Sequence, residues 1–236
     1  MALADDLRAL ADRSLAALNE GHNYFTFSKR VWQLLQKDTK KGRKVSFHNP
    51  ATGAKVDEEK LYVLAPHYVA EYLRTSTFQH FVSLFEDFFF DLLRLWLAAY
   101  PGSLAKKQIE FGTVLQAPDK ATVTFAVVDR ELNELKYERV AGWFAYLEQL
   151  TKLGCPTAAE VNRLAEIKAS RDILAHNKGI ANAIYVAKAG KLARCKEGEP
   201  LEIPEQYLRE SWETIRKVVR DVSAAAVKKA KGAKLA

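Results

Sequence analysis

The sequence has few of the residues that would tie it to a stapled, fibrous or membrane-spanning class. It has two cysteines, Cys155 and Cys195, enough for one disulfide at most, so a chain of this length must draw its stability from a core; they read as reduced thiols. Seven prolines and 11 glycines in 236 residues exclude collagen-like and linker-like character. The longest apolar run, around Phe88, Phe89 and Phe90, is broken by Asp87, Asp91 and Arg94. That is far short of the roughly 20 uncharged residues a membrane span needs. Acids at Asp5 and Asp6 stand where a secretory leader would carry a basic region, so a cytoplasmic chain is expected. Walker and Rossmann glycine loops, G-x-S-x-G, CxxC and paired cysteines at zinc spacing are all missing.

What is present is an ordinary globular composition, 48% hydrophobic and 28% charged, with a basic excess. Thirty-six Lys and Arg against 29 Asp and Glu give +7 and a pI near 9.3. The excess favours polyanionic partners, RNA or DNA first.

Apolar spacing predicts helices throughout. Leu3, Leu7, Leu10, Leu15 and Leu18 share one face of a first helix expected to stop near Gly21. A second is expected from about Phe25 to Gln36, followed by a basic loop from Lys37 that holds Lys40, Lys41, Arg43 and Lys44. From Val56 to Tyr100 the pattern is strongly helical, with a break or kink at Pro66, and Pro101-Gly102 ends it. Thr122 to Val128 is β-branched enough for a strand, yet it runs without a turn signal into a helical pattern reaching Leu153, and we read it as helix. Gly154 stops that helix; Thr157 and Glu160 form a capping box for one expected to end at about His176. The stretch 177–204 is irregular. A final helix begins at Glu205, and Lys228, Lys229, Lys231 and Lys234 make a basic tail read as solvated. The expected fold class is therefore all-α, a helical bundle with an N-terminal helical extension.

Among the histidines, His67 and Glu71 sit one helical turn apart as two metal ligands would, but no third ligand is near, and His67 reads as an interface or surface residue. His80 reads as a core or boundary residue. The segment with most chemical content is Ser170-Arg171-Asp172-Ile173-Leu174-Ala175-His176-Asn177-Lys178-Gly179. A guanidinium grips phosphate bidentately and an imidazole moves protons, so Arg171 with His176 is a minimal set for phosphodiester cleavage. Positions five apart diverge by about 140° on a continuous helix, but Asn177 and Gly179 predict a helix end that can turn the ring back. Asp172, one turn before His176, is placed to fix its tautomer. On residues alone two plainer readings stay open: Arg171 paired with Glu166 or Glu148, and His176 as a cation at a helix C-terminus.

Arg171 to His176 resembles the R-x4-6-H motif of the HEPN superfamily. The resemblance extends to Leu135–Leu147, to the run from His176 to Tyr185, and to the last helix near Tyr207-Leu208, and is similar to HEPN families of the RiboL-PSP type. It covers about Tyr68 to Val222; Lys178 stands where several HEPN toxins have Tyr. It divides the chain into an N-terminal extension with its basic loop (1–56), a HEPN-like domain (57–227) and a basic tail (228–236). The resemblance implies a metal-independent endoribonuclease without cofactor, active as a homodimer whose two motifs face each other, in a toxin, defence or RNA-processing system, with an antitoxin as a further protein partner. It implies His176 as general base or acid, Arg171 as stabiliser of phosphate charge, Asp172 and Asn177 as orienting residues, and 2′,3′-cyclic phosphate and 5′-hydroxyl ends. The basic loop residues Lys40, Lys41, Arg43 and Lys44 are candidates for RNA backbone contacts. The alternative is a non-catalytic HEPN module that dimerises or binds a partner or nucleotide.

Overall fold

A computed structural model describes residues 2–41, 44 and 46–232, and it is an all-α bundle with one two-stranded hairpin. The order is α1 (Ala2–Lys40), β1 (Phe47–His48), β2 (Lys55–Val56), α2 (Glu58–His67), a π-helical segment Tyr68–Leu73, α3 (Arg74–Ala99), α4 (Phe111–Gln116), α5 (Lys120–Lys136), α6 (Val140–Thr151), α7 (Ala158–His176), α8 (Ala183–Ala189) and α9 (Glu205–Gly232). Among the described residues no helix is long and apolar enough to cross a membrane. Cys155 and Cys195 are free thiols.

The centre of the bundle is α3, whose Phe78, Phe81, Phe85, Phe88, Phe89 and Leu93 are almost wholly buried. Phe89 stacks on Trp143 of α6 with centroids 5.5 Å apart and meets Phe144 edge-on at 5.1 Å. The aromatic residues of this stretch therefore fill the chain's own core. α1 lies against α3 and α9, with Leu7, Leu10, Leu18 and Phe25 in the same core. The Trp212 indole of α9 donates to the Leu18 carbonyl (3.0 Å) and stacks on His22 at 4.1 Å. Burial, then the charge of Arg216, lowers the pKa of His22 below its usual range.

Several expected boundaries move, each for a physical reason. α1 runs unbroken past Gly21, where the missing side chain lets α1 lie close against α3: a Cβ there would lie 3.1 Å from Phe81 Cε1. The helix also absorbs Lys37 to Lys40, so the basic segment begins inside α1. Pro66 does not end α2. The carbonyl it leaves without its helical donor, Tyr62 O, accepts from Gln36 Nε2 (3.4 Å), and the π-helical turn follows. The expected helix from Thr122 to Leu153 is two, α5 and α6, separated at Tyr137 to Arg139, where Trp143 Nε1 donates back to the Leu135 carbonyl (2.8 Å). The basic tail as far as Gly232 continues α9, and Lys234 lies outside the described residues. His80 is exposed.

Candidate functional site

α7 is fixed at its start by the expected capping box, with Glu160 N–H donating to Thr157 Oγ1 (3.3 Å) and Thr157 N–H to Glu160 Oε2 (2.8 Å). Leu164, Ile167, Ala169 and Ile173 anchor it in the core. It stops where Asn177 and Gly179 both donate to the Ile173 carbonyl (2.9 Å each), with Lys178 and Gly179 in the left-handed region at φ 53° and 76°. The Leu201 N–H then donates to Gly179 O (2.8 Å), and Asn177 Nδ2 donates to Ile180 O (2.6 Å). The chain beyond α7 is thus held against the segment Glu199–Leu201.

Two polar assemblies use different faces of α7. On the face toward α9, wholly buried Glu166 accepts from Ser170 Oγ (2.7 Å), Tyr207 OH (2.8 Å) and Arg163 Nη1 (3.3 Å), and Arg163 reaches on to Glu210 (3.3 Å). Burial and the Glu166 carboxylate raise the pKa of the Tyr207 hydroxyl above the tyrosine range. The Arg194 guanidinium covers the Tyr207 ring at 3.5 Å.

On the face toward α3 and α8 sits Arg171. It forms an ion pair with Glu86 of α3 and a second with Asp172 (3.3 Å), and its Nε is buried with no partner. Lys168 bridges the same two carboxylates at 3.2 Å each, and Lys188 of α8 reaches Asp172 at 3.4 Å. Three cations thus share two carboxylates, leaving one positive charge in excess. Arg171 and Lys168 border a cleft of about 490 Å³ that also takes in Asp87, Asp91, Arg94 and Lys136. Arg171 is held by neither Glu166 nor Glu148, the partners the sequence left open.

The structure brings Arg171 and Asp172 together, and among the described residues no hydrogen bond or ion pair joins the His176 side chain to either. His176 is exposed at the last turn of α7 and makes no hydrogen bond or ion pair among the described residues. Asp172 is occupied by three cations and does not hold the imidazole. Asn177 is spent on capping. Within one chain, then, the geometry supplies a network of three cations on two carboxylates and an unpaired imidazole further along the same helix. Glu86, Lys168 and Lys188 were missed: Lys168 stands one turn before Asp172 and was legible as an ion pair, whereas Glu86 is 85 residues from Arg171 and carries no local signal.

Of the basic candidates, Lys40 is exposed with its ammonium 5.6 Å from the Tyr62 ring centre, Lys41 and Lys44 are exposed, and Arg43 lies outside the described residues. His67 and Glu71 do pair, Nδ1 to Oε1 at 3.2 Å, and among the described residues no group of three or more His, Cys, Asp or Glu is arranged to hold a metal. No family model matches the chain, and neither a curated protein nor a solved structure matches it.

Proposed function

We propose that the chain is a metal-independent endoribonuclease of HEPN type that acts as a homodimer on cytoplasmic RNA, in a toxin, defence or RNA-processing system. The observation that carries this reading is the exposed, unpartnered imidazole of His176, on the helix that also presents Lys168 and Arg171. In the proposed step His176 takes the proton of a ribose 2′-hydroxyl as its oxygen attacks the adjacent phosphorus. The bond from phosphorus to the 5′-oxygen breaks, and that oxygen takes a proton from the partner subunit's His176. Arg171 and Lys168 offset the charge growing on the phosphoryl oxygens. A second copy is part of the reading because one chain holds a single imidazole there, and among the described residues no bond joins it to Arg171. The apolar surface available for a two-fold contact lies beside it: Ile184 is 63% exposed, and Ile180 and Leu192 are also open.

Incubating the purified chain with total RNA in EDTA tests the activity. Cleavage leaving 2′,3′-cyclic phosphate ends is expected; intact RNA would remove the proposal. Ile184→Asp tests the dimer separately. It should shift the light-scattering mass from two chains to one and lower cleavage in step, with helical content unchanged, and a variant that stays dimeric would place the two-fold contact elsewhere. One observation favours a non-catalytic module: the guanidinium of Arg171 is already engaged by Glu86 and Asp172. Under that reading the EDTA assay shows no cleavage while the dimer persists.

A further inference from the structure

The residues on either side of His176 face a second cleft that the ribonuclease proposal does not use. It has a volume of about 870 Å³, and Leu174, Lys178 and Gly179 form one wall. The opposite wall is the π-helical turn and the start of α3, with Tyr72 and Arg74, and the Pro200–Ile203 segment closes the end. A π-helical turn is rare, and so is a lysine at φ 53°; both border this cleft.

From this arrangement we infer that the cleft is a subsite for single-stranded RNA, in which one nucleotide beside the scissile bond stacks on Tyr72 and sets its phosphate between Arg74 and Lys178. The inference rests on the ribonuclease reading for its ligand class. Tyr72 is 64% exposed, and its ring is supported from behind by His67 (5.2 Å) and Tyr68 (5.9 Å), both edge-on, which leaves a fixed ring with area to spare for a base. Arg74 is oriented by one bond, Nη1 to the Ile203 carbonyl (3.1 Å), and its Nε has no partner. The Lys178 ammonium makes no ion pair among the described residues. Two carboxylates share the cleft. Glu71 is drawn to His67 (3.2 Å), and Glu202 supplies an acceptor for a base amino group. A cavity of this size takes a ligand of nucleotide dimensions, and a duplex, whose bases are already stacked, offers no face to Tyr72.

The test is fluorescence anisotropy on the full chain with a labelled single-stranded 2′-O-methyl RNA octamer, which binds without being cleaved. Tyr72→Ala should weaken binding about tenfold or more, Tyr72→Phe should bind as the parent does, and a duplex of the same sequence should show no dependence on Tyr72. Lys178→Gly removes the ammonium and keeps a residue suited to the left-handed backbone; it should flatten the salt dependence by roughly 0.7 in log-log slope, one single-strand phosphate contact. Failure of the parent chain to bind the octamer, or equal affinity in Tyr72→Ala, would overturn the subsite. Cleavage read in parallel separates the two proposals. Tyr72-dependent binding by a chain that never cleaves RNA removes the ribonuclease reading and keeps the cleft, while cleavage with no dependence on Tyr72 in either assay does the reverse.

Discussion

Replacing His176 with alanine is expected to lower RNA cleavage by at least about 10²–10⁴-fold, the usual loss for a single general acid or base, because in a homodimer the substitution removes both the base and the acid of the proposed step, while melting temperature and helical content stay those of the parent. The second half of that expectation follows from position. The side chain is exposed on the last turn of α7, covers no core residue and makes no hydrogen bond among the described residues, and surface changes of this kind usually alter stability by no more than about 0.5 kcal/mol. The first half follows from the chemistry proposed for the imidazole. Arg171→Lys is the companion experiment. A lysine there keeps one charge but cannot reproduce the planar fork that spans Glu86 and Asp172 and that the proposed step turns toward a phosphate, so cleavage should fall with the fold intact. Near-parental cleavage by folded His176→Ala sinks the assignment of the catalytic imidazole whatever Arg171→Lys does.

The sequence reports local chemistry well and approach between distant segments poorly. The capping box of Thr157 and Glu160, the stop at Asn177 to Gly179 and the apolar face of α3 are all set by residues within a few positions of one another, and all three stand in the structure as read. Gly21 misled because a glycine that ends a helix and one that lets two helices touch are the same letter; only the 3.1 Å approach to Phe81 tells them apart. The break at Tyr137 has neither Gly nor Pro to mark it and depends on an indole reaching back to the Leu135 carbonyl. The hairpin of Phe47–His48 with Lys55–Val56 turns at Asn49 and Gly53, a signal legible as a loop but too short to announce strands. At the candidate site the motif Arg171 to His176 was visible, but the carboxylate that holds the arginine was not. Lys168 stood one turn from Asp172 as a visible competitor for it, but nothing local showed that Lys188 of α8 would join it there in place of the imidazole. The aromatic stretch of α3 is spent on the core.

Glu166→Ala should cost about 3–5 kcal/mol in urea unfolding, the range seen when one partner of a buried charged network is removed. Glu166 is 0% exposed and accepts three hydrogen bonds, from Ser170, Tyr207 and Arg163. The alanine leaves two hydroxyls and a guanidinium edge without an acceptor, in a place water reaches poorly, and opens a void between α7 and α9. Against a total stability of about 5–15 kcal/mol for a folded domain, that is a large share of what holds the chain folded. Glu166→Gln keeps the volume and one acceptor oxygen, so it should lose less, and Tyr207→Phe, which removes a single donor and fills the same space, should lose about 1 kcal/mol. A ladder of losses in that order, Glu166→Ala above Glu166→Gln above Tyr207→Phe, would show that satisfaction of buried donors, rather than packing volume alone, holds α7 on α9. A Glu166→Ala chain losing under about 1 kcal/mol would mean that water enters and replaces the carboxylate. The consequence reaches the opposite face of the helix, because α7 carries both Lys168 with Arg171 and, at its end, His176. A network that fixes α7 against α9 therefore fixes the direction in which the cationic cluster and the imidazole are presented, and Glu166→Gln should reduce cleavage even at temperatures where the chain remains fully folded.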